Sequence, residues 1–155
     1  MRLLLFTLLL HPIQKICTEI KLPPYHKSNC VQSLIVVLQK STTITFSPRD
    51  LKEIHINYPN STQMRIDDDP RIKGVVYNLV RRGVAEDVKI NELQAGDIVQ
   101  FWNDGWGHCG VVKGANYPKR LVWLYSSMPS TDFALTSFSF PSKFYACRIK
   151  KGYLK

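Results

Sequence analysis

The sequence predicts an α+β domain in which N-terminal helices pack on an antiparallel sheet. The run from residue 30 to 40 is strongly apolar without strict alternation, and residues 69–83 repeat apolar side chains at helical spacing. After residue 84 the period changes, and short β-branched and aromatic segments follow one another between turn residues. Because the helices come first and the strands later, we expect the helices to cover an antiparallel sheet.

Three helices are predicted from their end signals. Either Ser28 or Asn29 can cap a buried helix that begins at Cys30. The Ser-Pro pair at 47–48 and the Asp-Pro pair at 69–70 combine a preferred cap with a proline at the first helical position. Gly83 then follows as the residue that ends the third helix.

The remaining elements follow from residue pattern. Leu51 and Ile54 are expected to face inward from the second helix, and residues 55–66 are expected to be irregular, with a turn at Tyr58-Pro59-Asn60. Four strands are predicted, over residues 98–102, 108–112, 121–125 and 144–149.

Composition limits the class of protein. The 155 residues fit one domain, which at this size buries roughly 70% of its unfolded surface. The sequence has 21 Lys and Arg residues against 12 Asp and Glu residues, a formal charge of +9. This charge is compatible with an anionic partner, and the alternative of equal weight is a basic surface without a specific partner. No basic cluster with interleaved aromatics and no nucleic-acid-binding motif occurs in the sequence, so nucleic acid is not an expected partner.

Residues 1–22 form a signal-like segment or N-terminal extension, and residues 23–155 the expected domain. A single Arg at position 2 precedes the mostly apolar residues 3–10, a short signal-peptide pattern without a small-residue cleavage site. The apolar run is shorter than the ~20 residues that span a bilayer, so no stable membrane insertion is expected. The pattern predicts a periplasmic or secreted protein; the alternatives are a mis-assigned start and an ordered N-terminal segment.

Four cysteines occur, at positions 17, 30, 109 and 147, and none forms a C-x-x-C pair. A structural zinc site is therefore not expected. Export would allow two disulfides, but none is predicted, because at least one thiol has a better use as a reactive group.

Cys30 and His108 are the candidates for that chemistry. A thiol at the N-terminus of a helix has its pKa lowered by the free N–H groups and the helix dipole; the alternative is a buried, inert cysteine. His108 follows the Gly-containing loop 103–107 and opens a strand, where its ring can face a cleft. Strand alternation turns Cys109 to the opposite face, so Cys109 is expected to be buried and chemically quiet.

Residues 93–102, a Gly-Asp turn and a strand ending in Phe-Trp, and residues 107–112, Gly-His-Cys-Gly-Val-Val, resemble the second half of NlpC/P60 domains. The resemblance extends loosely over residues 23–150. It implies a papain-like fold, with Cys30 as nucleophile and His108 as base. It further implies hydrolysis of peptide or amide bonds in bacterial peptidoglycan, with the peptide stem as the bound group and without a metal or cofactor.

The chain departs from the NlpC/P60 pattern at three points. The nucleophile stands in Asn-Cys-Val-Gln at 29–32, where the family usually has Asp-Cys-Ser-Gly. Tyr25 is the candidate that helps stabilise the oxyanion, but it lies closer to the cysteine than is usual in the family. The third catalytic residue, often a His, has no His equivalent; Tyr125 is nearest by register, and the alternatives are Ser126, Ser127 and Asp132.

Other functions remain open at this point. Within the same class, the chain could be an antibacterial amidase toxin that has an immunity protein as its partner. A different class is a non-catalytic papain-like binding module, which the altered cysteine neighbourhood permits. A basic nucleic-acid-binding protein is supported by net charge alone.

Overall fold

A computed structural model describes residues 10–155, and within this range the chain forms five α-helices and a six-stranded sheet. The helices are α1 (Pro12–Glu19), α2 (Cys30–Ser41), α3 (Pro48–Ile54), α4 (Tyr58–Ile66) and α5 (Gly74–Arg81). The strands are β1 (Ala85–Val88), β2 (Ile98–Asn103), β3 (Trp106–Asn116), β4 (Leu121–Met128), β5 (Asp132–Ser139) and β6 (Lys143–Ile149). Short 3₁₀ turns cover Pro70–Lys73, Ile90–Glu92 and Lys151–Tyr153.

Every pair of neighbouring strands is antiparallel, and the spatial order is β1-β6-β2-β3-β4-β5. The predicted α+β class with an antiparallel sheet is therefore confirmed. The two strands that the pattern did not predict, β1 and β5, are the edges of the sheet. β1 has four residues and β5 has no buried residue, so neither carries the apolar run that indicates a buried strand.

Capping decides where α2 begins. The Asn29 side chain accepts a hydrogen bond from the Gln32 backbone N–H at 3.1 Å, and the Gln32 side chain accepts one from the Asn29 backbone N–H at 3.0 Å. This reciprocal pair satisfies two N–H groups that a helix start otherwise leaves unpaired. It makes Cys30 the first residue of the helix, as predicted.

Two sequence predictions around α3 and α4 are wrong. Leu51 is 41% exposed while Ile54 is buried, because α3 meets α5 through Asp50 and Glu53, both of which accept hydrogen bonds from Asn78. The segment predicted to be irregular contains the helix α4, because a proline in a first turn is compatible with helix formation.

The helices cover one face of the sheet and form the larger core with it. Ile13 of α1, Val37 of α2 and Val75 of α5 are fully buried there with Val111 of β3. The packed unit therefore includes α1, which lies in the segment assigned to the N-terminal extension. Residues 1–9, which carry most of the signal-like pattern, lie outside the described residues. Among residues 10–155, no helix is long and apolar enough to cross a membrane.

A second, smaller core lies on the opposite face of the sheet. Phe101 of β2, Val112 of β3 and Leu124 of β4 are fully buried in it, with Phe138 and Phe144 packed against them. Successive residues of a strand point to opposite faces, so each central strand contributes to both cores. This division determines which side chains can meet at the start of β3.

The Gly-Asp turn of the 93–102 segment has a structural role. Gly96 has a φ of +90°, a left-handed conformation that favours glycine. The buried Asp97 carboxylate accepts hydrogen bonds from the Gln94 backbone N–H at 2.7 Å and from the Arg148 side chain at 2.8 and 2.9 Å. The turn thereby joins the start of β2 to β6.

Candidate active site

Cys30 opens α2 on the wall of a cavity of about 260 Å³. The first N–H groups of an α-helix have no partner within the helix, so this position favours an anionic sulfur. The cavity lies between the N-terminus of α2 and the ends of β2 and β3. Its lining includes Tyr25, Asn29, Cys30, His55, Gln100, Trp102, Trp106 and His108. The structure thus brings together Cys30, His108 and Tyr25, three of the residues predicted from the sequence.

His108 lies near the start of β3, directly opposite Phe101 of β2. Its ring packs among aromatic side chains, with centroid distances of 5.5 Å to Phe101, 5.2 Å to Phe138 and 5.9 Å to Trp106. The residue is 5% exposed, and its Nε2 atom is buried without a hydrogen-bond partner among the described residues. Aromatic packing therefore restrains the ring, while one of its nitrogens is left without a partner.

Cys109 is buried, as predicted, but it lies beside Cys30. Alternation turns it to the helix-covered face of the sheet, where it stands opposite Gln100 of β2. Because α2 packs on the same face, the Cys109 thiol comes within hydrogen-bonding reach of the Cys30 sulfur. This neighbour of Cys30 was not predicted from the sequence, although strand alternation together with a helix-covered face was the signal that could have indicated it.

The two thiols have opposite acidities. Hydrogen bonding from the Cys109 thiol is the largest cause that lowers the pKa of Cys30 well below its usual value. Burial opposes this effect, and a hydrogen bond and positive charge from His108 and the Cys109 backbone N–H reinforce it. The pKa of Cys109 is raised well above its usual value by the hydrogen bond to Cys30 and by burial. The surroundings therefore favour the thiolate at Cys30 over a thiolate at Cys109.

The loop before Cys30 is anchored to the turn between β4 and β5. The Ser127 hydroxyl donates to the Ser28 carbonyl at 3.0 Å, and the Tyr25 backbone N–H donates to the Asp132 carboxylate at 2.8 Å. Tyr25 is thereby held at the cavity. Burial raises the pKa of its hydroxyl, and the charge of Cys30 adds to that effect. Ser127 and Asp132, two alternatives for the third catalytic residue, thus hold this loop.

Tyr125 and Ser126 point to opposite faces of β4. Tyr125 pairs with Val111 and packs against the helix-covered core, and its pKa is raised by burial and by the charge of Cys17. Ser126 points to the other face, which also carries the ring of His108. The structure therefore does not bring Tyr125 to the sheet face that carries the imidazole.

Two tryptophans that were not singled out from the sequence form the walls of the cavity. The Trp102 indole N–H donates to the Ile72 carbonyl at 2.9 Å, which fixes its ring. That ring lies over Gly107, where any Cβ atom would collide with it. Trp106 is 42% exposed at the rim of the cavity. The Trp-Gly-His sequence at the start of β3 thus keeps the cavity open next to His108.

A second hollow, of about 280 Å³, continues from the cavity, since His55 and Ile56 line both. Its lining includes the basic side chains of Arg49, Lys52 and Arg71 and the carboxylate of Glu53, which forms an ion pair with Arg81. Arg71 forms an ion pair with Asp69, whereas Arg49 and Lys52 make no ion pair with any described residue. The surface that leads away from Cys30 in this direction is therefore positively charged.

Within residues 10–155, no group of three or more His, Cys, Asp or Glu side chains is arranged to hold a metal ion. No protein-family model matches the chain, and neither a curated protein nor a solved structure matches it.

Proposed function

We propose that this chain is a papain-like cysteine hydrolase of the NlpC/P60 type that cleaves peptide or amide bonds in bacterial peptidoglycan. The observation that carries the proposal is the shared cavity of Cys30 and His108, in which the pKa of the Cys30 thiol is lowered at the start of α2. A thiolate is the nucleophilic form of cysteine, and a neighbouring histidine is the usual means of forming it.

The proposed reaction begins with attack of the Cys30 thiolate on an amide carbonyl carbon. The C–N bond then breaks, and the His108 imidazolium gives its proton to the leaving amine. This leaves a thioester on Cys30. Water, deprotonated by His108, attacks the thioester and releases the acid together with the thiolate. Protons and electrons balance over the cycle without a metal or cofactor.

Stabilisation of the oxyanion is assigned to Cys30 and Tyr25. The Cys30 backbone N–H is at the start of α2, where it has no carbonyl partner within the helix. The Tyr25 side chain lines the same cavity and supplies a hydroxyl donor. Donors aimed at the developing negative charge act strongly in a site of this kind, which is partly shielded from water.

The charge of the surroundings supports an anionic substrate. The hollow next to the cavity carries Arg49 and Lys52, and the chain has a formal charge of +9. Peptidoglycan stem peptides carry carboxylates that such groups can attract. A site of action in the periplasm or outside the cell follows from this substrate and agrees with the signal-like N-terminal pattern.

Digestion of purified muropeptides, with identification of the products by mass spectrometry, tests the proposal. Cys30→Ala should abolish cleavage, His108→Ala should be nearly as damaging, and the double variant should be little worse, because the two residues act as a unit. Loss of one sulfur should cost at most roughly 1–3 kcal/mol of stability. The effect should therefore appear in the rate and not in the melting behaviour.

Cys147→Ala is the matched control. It removes a buried thiol that lies outside the cavity, so cleavage should continue at the wild-type rate. If Cys30→Ala cuts every muropeptide that the wild type cuts, the hydrolase proposal is wrong. A folded wild type that binds muropeptides without cutting any of them would instead favour the binding-module alternative.

A further inference from the structure

Two buried polar atoms, His108 Nε2 and Ser126 Oγ, have no hydrogen-bond partner among residues 10–155. Both side chains are almost fully buried, with exposures of 5% and 2%. A buried polar group without a partner is destabilising, so such groups are rare and call for an explanation. No other described residue has a buried side-chain nitrogen or oxygen that lacks a hydrogen-bond partner.

The two atoms lie on the same face of the sheet. His108 stands opposite Phe101, which belongs to the smaller core, and Ser126 alternates with Leu124 of that core. Gly110, two residues after His108, lies against Ser126: a Cβ built on it would be 3.0 Å from the Ser126 Cβ. Residues at diagonal positions on neighbouring strands are within reach of each other's side chains. Because residue 110 is a glycine, no side chain of β3 covers Ser126 at this position.

The other candidates for this role are engaged elsewhere. Ser127 donates to the Ser28 carbonyl, and Asp132 accepts from the Tyr25 backbone N–H. Tyr125 points to the helix-covered face of β4. Ser126 is thus the residue of this group whose polar atom is both buried and without a partner in the described structure.

We infer that Ser126 is the positioning residue of His108, and that one bridging water carries a hydrogen bond from Nε2–H to its hydroxyl while Nδ1 faces Cys30. This assignment rests on the proposed function. The protonated ring that forms during the reaction carries an N–H on each nitrogen, so the one remote from the thiolate needs an acceptor in this buried pocket. The Ser126 hydroxyl can supply that acceptor through one bridging water.

Two readouts test the role of Ser126. In muropeptide cleavage, Ser126→Ala should lower kcat about 10- to 100-fold with little change in KM, while Ser126→Thr, which keeps the hydroxyl, should retain most of the activity. In ¹⁵N NMR of the imidazole, recorded in a Cys30→Ala background, Ser126→Ala should shift the His108 Nε2 resonance and its tautomer balance. Ser137→Ala, which alters an exposed serine of β5, should change neither readout.

The NMR measurement needs no activity, so it separates this inference from the proposed function. An unchanged Nε2 resonance and tautomer balance in Ser126→Ala would overturn the assignment even if Cys30→Ala abolishes cleavage. A loss of kcat in Tyr125→Phe, with none in Ser126→Ala, would overturn it in favour of Tyr125. If the wild type cleaves nothing, the proposed function fails, and a shifted Nε2 resonance in Ser126→Ala still supports the hydrogen bond.

Discussion

At the residue scale, Cys30 and Cys109 show how neighbours give two identical side chains different chemistry. Cys30 has a thiol donor, a histidine and the Cys109 backbone N–H around it, and together they outweigh the effect of burial on its pKa. Cys109 lies in the core beside a sulfur that becomes negatively charged, so its proton is retained. The Cys109 thiol donates a hydrogen bond to the Cys30 sulfur, which favours the thiolate at Cys30. Burial of Cys109 favours its protonated form, so Cys109 is the donor of the pair.

This difference predicts the order and pH dependence of alkylation. Cys30 should react first with iodoacetamide, at pH values below the usual thiol pKa of about 8.5, because its thiolate persists there. The other three thiols should lag, since burial is a cause that raises the pKa of each, to about 12 for Cys17. Peptide mapping over a pH series measures both the order and the midpoint.

His108→Gln supplies the internal comparison for the alkylation series. It removes the charge that favours the thiolate, so the midpoint for Cys30 should move to higher pH. In the wild type, the Cys30 thiolate becomes protonated as the pH falls through its lowered pKa. Labelling of Cys30 should therefore decline only at pH values below that pKa. Modification of Cys109 ahead of Cys30 would reverse the assignment of the nucleophile.

At the element scale, the start of α2 controls the position of the nucleophile. Asn29→Ala removes the hydrogen bond to the Gln32 N–H and should cost about 0.5–2 kcal/mol of unfolding free energy, measured by urea denaturation. The first turn should also fray, so the alkylation midpoint of Cys30 should rise as the helix N–H groups lose their fixed positions.

Asn57→Ala is the matched control for the cap. Asn57 occupies the same position at the start of α4, but its side chain makes no capping hydrogen bond with described residues. Its replacement should therefore leave the unfolding free energy and the Cys30 midpoint almost unchanged. Equal losses of stability in the two variants would show that the Asn29 cap is not what determines the start of α2.

At the scale of the whole molecule, the Asp97–Arg148 pair connects distant parts of the chain. Asp97 precedes β2 and is 1% exposed, while Arg148 belongs to β6 and is the partner that offsets the buried carboxylate. Arg148→Ala should cost roughly 1–3 kcal/mol, because it leaves Asp97 with the Gln94 N–H but without its cation. Thermal or urea unfolding measures this loss.

Arg71→Ala provides the comparison for Arg148→Ala. The Arg71–Asp69 ion pair joins residues only two positions apart on the surface, where solvent screens the attraction, so its loss should scarcely change stability. An equal fall in Tm in both variants would show that the buried Asp97–Arg148 pair contributes no more to stability than the exposed Arg71–Asp69 pair.

Much of the local structure could be predicted from the sequence. The caps at 29 and 47, the helix that ends before Gly83 and the four inner strands all depend on residues within a few positions of one another. The same local signals placed Cys30 at the start of a helix and His108 at the start of a strand. The helices α1 and α4 and the edge strands β1 and β5 were missed, and the third predicted helix begins with a 3₁₀ turn over Pro70–Lys73 before α5.

The arrangement around Cys30 depended on the tertiary structure. Alternation places positions 108 and 109 on opposite faces of β3, but only the packing of α2 shows that Cys109 lies on the same face as Cys30. Likewise, the sequence offered four residues for the role beside His108, and the pairing of β3 with β4 distinguishes Ser126 from Tyr125. The physical reason is that caps and periodicity act over one or two turns of chain. Contacts between faces of a sheet instead depend on register and helix docking, which are set by residues far apart in sequence.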